Sequence, residues 1–233
     1  MADRRQVEIL EDGPESWNTW RRRNRTVVPD LSEANLKEYK LRGANLAKSN
    51  IASADLRHAN ASGANLREAD LREASLQRAK LTEAKLTNAN LREASLHRIN
   101  AARVDLTGAT LVEANLLRAH LKDAKLLRAN LSQANLLRTN SSGANLRGAN
   151  LTQSQLVGAN LKNANLSGAD LRGALVERRQ LLTAKIDAKT RLPEEHKWMT
   201  PQSRRAVKAT SKRTKASKRT PTRKPAAKVP ASS

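Results

Sequence analysis

The sequence predicts a solenoid, a chain wound into a stack of short coils, and three observations predict it. From Leu31 onward an apolar residue recurs at every fifth position as far as Leu181 and Ile186, 32 positions in register. The residue two before each centre is Ala at 24 of the 32 positions, and the residue one before it is Asn or Asp at 20. Alanine (37) and leucine (33) dominate the apolar residues of this 233-residue chain, while Phe is absent, Tyr occurs once and Trp three times. A conventional core filled by large aromatics is therefore excluded, whatever the length alone would suggest.

Neither common secondary structure tolerates a period of five. Five residues of α-helix advance about 500°, which would set successive leucines about 140° apart. In a strand, side chains alternate between faces, so an odd step would flip each leucine to the opposite side. The chain must turn once per repeat to bring every centre inward again. Asn, Asp and Gly suit such turns, because they tolerate unusual backbone angles and bond their own backbone. Small Ala beside each leucine lets neighbouring segments approach, giving a stack in which each coil is buried by its neighbours. Three centres are not Leu, Ile or Val: Ala61, Ala101 and Ser141.

The unit A-[N/D]-L-x-x, as in Ala64-Asn65-Leu66-Arg67-Glu68 and Ala164-Asn165-Leu166-Ser167-Gly168, resembles the repeat of the pentapeptide-repeat proteins over residues 29–192. The resemblance implies an all-β fold, a right-handed quadrilateral β-helix with four pentapeptides per coil. It also implies that the centre and the residue two before it point inward while the other three face solvent. Eight coils at about 4.8 Å each would make a stack of roughly 38 Å.

The open ends of a solenoid need covering. Residues 1–28 are read as a helical N-terminal cap, with a weak helix over 3–12 that stops at Gly13. Pro14 suits a first helical position, and 14–24 reads as a second helix. Trp17 and Trp20 share a face of it, and they read as a plug on the first coil rather than a ligand site. Residues 193–203, with Trp198 and Met199, are read as a C-terminal cap. Residues 204–233 hold Lys, Arg, Ser, Thr, Ala and Pro without apolar periodicity, and are expected to be a disordered basic tail. From Lys197 to the end there are 12 Lys and Arg and no acid.

If a coil holds 20 residues, residues 20 apart stack in rows and charge can be sorted by face. The first face, centred on Leu31, Leu71, Leu91 and Leu111, carries Glu33, Glu73, Glu93 and Glu113 in one row, beside Asp30, Asp70 and Asp170. With three arginines it comes to net −4, whereas the other three faces are net positive. The second face carries Arg78, Arg98, Arg118 and Arg138 in one row, then Gly158 and Arg178, and beside them the outward apolar residues Leu117, Leu137 and Val157. A row of like charges is either a solvated face or a site for a polyanion. The candidate polyanion-binding residues are these four arginines together with Lys208, Lys212, Arg213, Lys215, Lys218, Arg219, Arg223, Lys224 and Lys228 of the tail. The apolar row reads as scatter or as half of an interface, a homodimer being one candidate.

Catalytic chemistry finds little footing. There is no Cys, so thiolate metal sites, disulfides and a cysteine nucleophile are excluded. His58, His97 and His120 occupy outward positions on different parts of the repeat, and His196 follows it. No metal-ligand spacing, serine triad or phosphate-cradling glycine loop is present. Neither an enzyme nor a cofactor is expected. The N-terminus has no apolar signal core and no run suits a membrane span, so a cytoplasmic protein is expected.

The function expected is a non-enzymatic interaction scaffold with a polycationic tail. The alternative is non-specific binding of nucleic acid, or of an anionic surface, through tail and arginine row. A third reading comes from the resemblance, since some pentapeptide-repeat proteins modulate DNA topoisomerases by imitating DNA with a strongly negative surface. This chain departs from that pattern: residues 31–192 carry 26 Lys and Arg against 14 Asp and Glu, and no centre is Phe.

Overall fold

The structure is a computed structural model that describes residues 1–197 and 199. The chain divides into two units, Met1–Trp198 and Met199–Ser233. Apart from Met199, the second unit lies outside the described residues, and so do Trp198 and the greater part of the 193–203 segment.

From Asp30 to Leu175 the chain repeats one conformation every five residues. Each Asn/Asp position pairs in parallel with the residue 20 further on, as in Asp30 with Asn50, Asn35 with Asp55 and Lys40 with Asn60. Twenty residues per return and one pairing per five give each coil four sides. Residues 20 apart are therefore stacked neighbours. The pairings among the described residues are isolated bridges rather than continuous strands, because two residues of every five are taken up by a turn.

The backbone of one unit can be accounted for completely, and the account explains the sequence pattern. The N–H of centre Leu111 donates to Asn130 O in the next coil at 2.6 Å, and Glu113 N–H donates to Ser132 O at 3.0 Å. Ala114 N–H closes the turn on Leu111 O at 3.1 Å, and Asn115 N–H reaches back to Ala94 O in the preceding coil at 2.9 Å. The remaining N–H follows the centre and has no backbone partner. In the next unit that group belongs to Leu117, and it donates to Asn115 Oδ1 at 3.1 Å. The same bond recurs at Asn50, Asp70, Asn90, Asn130 and Asn150 among others. This is why the repeat asks for Asn or Asp one before the centre.

The third residue of every turn from 33 to 173 has positive φ, 29 in succession: eight glycines and 21 other residues. Its predecessor does not, so the turns are of type II. No β-branched residue occupies any of the 29, as the left-handed region demands. Inside, the centres and the Ala positions form the core; Leu36, Leu71, Leu111 and Leu151 are fully buried. Opposite the small centre Ala101, Ile99 and Val104 are buried in place of two alanines. Ser141 is buried beside Thr139, whose hydroxyl donates to Leu136 O at 3.0 Å.

The first coil has no predecessor, and an N-terminal helix pair supplies its missing partners. Helix α1, Arg4–Glu11, is capped by the Asp3 side chain; α2, Pro14–Arg23, starts after Gly13, whose φ of 108° makes the corner between them. Gln6 Oε1 accepts from Asp30 N–H at 2.9 Å, and Asp3 N–H donates to Asp30 O at 2.9 Å. The Asn18 amide both accepts from Asn45 N–H and donates to Gly43 O. Trp17 is fully buried and donates through Nε1 to Asn45 O at 2.8 Å, with Trp20 against it at 5.1 Å between ring centres. Arg21 Nη2 donates to Ala47 O at 3.0 Å, and burial lowers its pKa. Each of these bonds satisfies an edge that would otherwise pair with a foreign strand.

At the C-terminal end the structure departs from the unbroken register read through Leu181 and Ile186. Residues Arg178–Thr183 form a helix, α3, and Asp170 pairs with Arg191, 21 residues on instead of 20. The physical reason is local. Position 179 is an inward slot held by Arg, and position 183 is a left-handed slot held by β-branched Thr. Gln180 is buried instead, donating through Nε2 to Leu156 O at 2.6 Å and Ala159 O at 2.7 Å while its Oε1 accepts from Glu177 N–H. The regular stack thus ends near Val176, about one coil short of the eight expected.

Candidate interaction faces

Because coils stack at about 4.8 Å, side chains 20 apart in sequence interact across the surface. Arg103 Nη2 reaches Glu83 Oε1 at 2.7 Å, and Lys48 Nζ reaches Glu68 Oε2 at 3.6 Å. On the first face Arg92 bridges two members of the acidic row, Glu93 Oε1 at 2.9 Å and Glu113 Oε1 at 2.8 Å. Glu73 accepts from the Ser53 hydroxyl at 3.3 Å. The aspartates of this face are held as well: Arg72 chelates Asp70 and Arg172 chelates Asp170, each with a shortest contact of 2.6 Å. The Arg72 guanidinium keeps the Asp70 carboxyl below the usual carboxylate range against the opposing effect of burial. The acidic row is therefore largely compensated within the fold.

The second face is different. Between Asp55 and Glu177 its units contain no acid at all. Arg78, Arg98, Arg118 and Arg138 all stand in the left-handed turn position, with φ between 55° and 58°, and all are exposed. Their backbones form a ladder, Arg98 N–H donating to Leu117 O and Arg118 N–H to Leu137 O. Among the described residues none of the four guanidiniums has an ion-pair partner, so the row is brought together as four open cations. The row ends at Gly158, where a Cβ would stand 3.2 Å from Arg138 Cγ. Leu117 and Leu137 are half-buried beside it, Val157 is 42% exposed, and Leu175, which the sequence reading did not single out, is 57% exposed on the same face. Leu175 could have been found, because it stands in a slot that is polar in every other unit of this face.

The tail cations from Lys208 to Lys228 lie outside the described residues. The histidines do not assemble: His120 Nδ1 lies 3.4 Å from the Asn140 amide, and His196 Nε2 lies 2.9 Å from Val176 O. Among the described residues no group of His, Asp or Glu could hold a metal ion, and no helix is long and apolar enough to cross a membrane.

The repeat that organises these faces is shared with known proteins. Pentapeptide repeats, in eight copies, match residues 30–67, 49–88, 62–98, 102–138 and 142–177. The chain belongs to the pentapeptide-repeat family. Among solved members, HetL, a pentapeptide repeat protein involved in heterocyst differentiation regulation from the cyanobacterium Nostoc sp. strain PCC 7120, is 33% identical over 73% of this chain and 77% of its own, with a TM-score of 0.44. Rfr23 from the cyanobacterium Cyanothece 51142 is 31% identical over 51% of this chain and 63% of its own, with a TM-score of 0.21. A trypsin-treated form of QnrB1, a plasmid-mediated fluoroquinolone resistance protein, is 16% identical over 79% of this chain and 96% of its own, with a TM-score of 0.39. A comparison with curated protein sequences finds no match.

Proposed function

We propose that this pentapeptide-repeat protein is a cytoplasmic, non-enzymatic interaction scaffold, in which the faces of the stack present fixed rows of side chains and the basic C-terminal segment adds a polycationic arm. One observation carries the reading: cations on the other faces largely meet carboxylates within the fold, while the second face carries four exposed arginines without a single acid between Asp55 and Glu177. Like charges at strand spacing oppose each other, so the row gains when a partner supplies the counter-charge. The test is capture of binding proteins from nuclease-treated extract by the whole chain, by a chain ending before Arg204, and by Arg98→Gln/Arg118→Gln/Arg138→Gln. A partner retained without the tail supports a scaffold acting through its stack; loss of all capture by the whole chain overturns it.

The second reading, non-specific polyanion binding, is favoured by the 12 cations from Lys197 onward. If the tail contacts about six phosphates, log affinity for duplex DNA falls with log salt at a slope near −5. No binding at about 50 mM salt discards it. The DNA-mimic reading has less support, because the acidic row is compensated by Arg92 and the repeat is net positive.

A further inference from the structure

The arginine row and the apolar row are one surface. Leu117 and Leu137 immediately precede Arg118 and Arg138 in the chain, and both pairs repeat with the coil. Along the stack, then, a cation and an aliphatic side chain recur side by side about every 4.8 Å. Val157 and Leu175 continue the aliphatic line past Gly158, where the cations pause.

Charge decides what can lie there. The chain's own basic segment is repelled, since it carries only cations after Glu195. A second copy meeting this face with its own second face sets arginine on arginine. A second copy offering its first face brings carboxylates already engaged by Arg92, Arg72 and Ser53. A phosphate backbone satisfies the arginines but leaves the aliphatic line facing water. What remains is a polypeptide that is acidic on one edge and apolar on the other.

Spacing decides its conformation. On one face of an extended chain, side chains recur about every 6.8 Å. On one face of an α-helix they recur about every 5.4 Å, once per turn. Over the three steps from Arg78 to Arg138, about 14 Å, a helix drifts by about 2 Å and a strand by about 6 Å. Long arginine side chains absorb the first mismatch and not the second.

We propose that the second face is the docking surface for an acidic amphipathic helix of a partner protein, laid along the stack with its apolar residues on Leu117, Leu137 and Val157 and its carboxylates on Arg98, Arg118 and Arg138. This rests on the scaffold reading and names the chemical class of the partner.

The probe is a synthetic peptide of about three heptads with one Leu and one Glu per turn on adjacent stripes, compared with a scrambled peptide of the same composition. Binding to the full chain is followed by fluorescence anisotropy, and helix formation by circular dichroism. The helical peptide binds and gains helicity, while the scrambled one is weaker by at least about tenfold. Arg98→Gln/Arg118→Gln/Arg138→Gln and, separately, Leu117→Gln/Leu137→Gln each weaken it by a similar factor; Val157→Gln serves if the leucine pair melts early. Equal binding of both peptides, or loss with the arginine variant but not with the apolar variants, makes the face an indiscriminate polyanion site and overturns the proposal. Failure of the peptide while the tail-less chain still captures its partner overturns the helix proposal and leaves the scaffold standing.

Discussion

Asn115 Oδ1 accepts the N–H of Leu117 at 3.1 Å, and this one bond connects the interior logic of the fold to its surface. It satisfies the only backbone donor of the unit that neither the turn nor a neighbouring coil can reach. It also fixes the corner from which Leu117 and Arg118 project.

Removing that acceptor should therefore weaken the fold. Asn115→Ala is expected to lower stability by about 1 kcal/mol, read by urea denaturation, while Asn115→Asp retains an acceptor and loses less. At position 125 a lysine, which has no acceptor, precedes the centre Leu126. Lys125→Asn should accordingly gain stability. Equal midpoints for wild type and both changes would show that the side-chain acceptor contributes nothing.

The inward assignment is tested at Leu106, which is 4% exposed. Leu106→Ala should cost about 2–5 kcal/mol. Leu106→Lys should cost more, because it places an unpaired ammonium where no carboxylate can follow. A melting temperature of Leu106→Lys near that of wild type would place residue 106 at the surface instead.

At the C-terminal end, Gln180→Leu leaves the carbonyls of Leu156 and Ala159 without their side-chain donor. The expected loss is about 1–3 kcal/mol, with faster hydrogen exchange confined to the last coils. Uniform protection in both proteins would argue that α3 does not close the stack.

The acid limb of the stability profile follows from the aspartate–arginine pairs. The guanidiniums of Arg57, Arg72 and Arg172 hold the carboxyls of Asp55, Asp70 and Asp170 below the usual range, partly offset by burial. A carboxyl depressed in the folded state stabilises above its unfolded pKa, and that stabilisation is lost as pH falls through the folded value. Thermal melts should stay level down to about pH 4 and decline below it. Arg72→Gln returns Asp70 toward its unfolded pKa and should make the decline shallower. A melting temperature that rises on acidification would contradict the assignment.

The period of five, the inward Leu and Ala, and the turn chemistry were legible because each unit repeats the same local requirement 29 times. Gly13-Pro14 was legible as the corner between α1 and α2 for the same kind of reason, one residue for a left-handed φ and one for a helix start. The reason Asn or Asp precedes each centre became clear only when the backbone donors were counted. The end of the register was misplaced because Leu181 and Ile186 keep the period of five, which outweighed Arg179 in an inward slot and Thr183 in a left-handed one. The arginine row was legible as a spacing. That its charges are open while the acidic row is compensated was not, because Arg92 reaches Glu113 across 21 residues and only the stacked coils bring them together.

All of these arguments depend on residues 20 apart being neighbours. The absence of native cysteine makes this directly measurable with spin labels on paired cysteines. Arg98→Cys/Arg118→Cys places two labels on adjacent coils of one face, with backbones about 4.8 Å apart, and Arg98→Cys/Arg128→Cys places them on opposite faces. Strong dipolar broadening in the first pair and little in the second is the predicted result. Equal broadening in both, or none between 98 and 118, would contradict the stacked register and with it the rows of charge on which the functional reading stands.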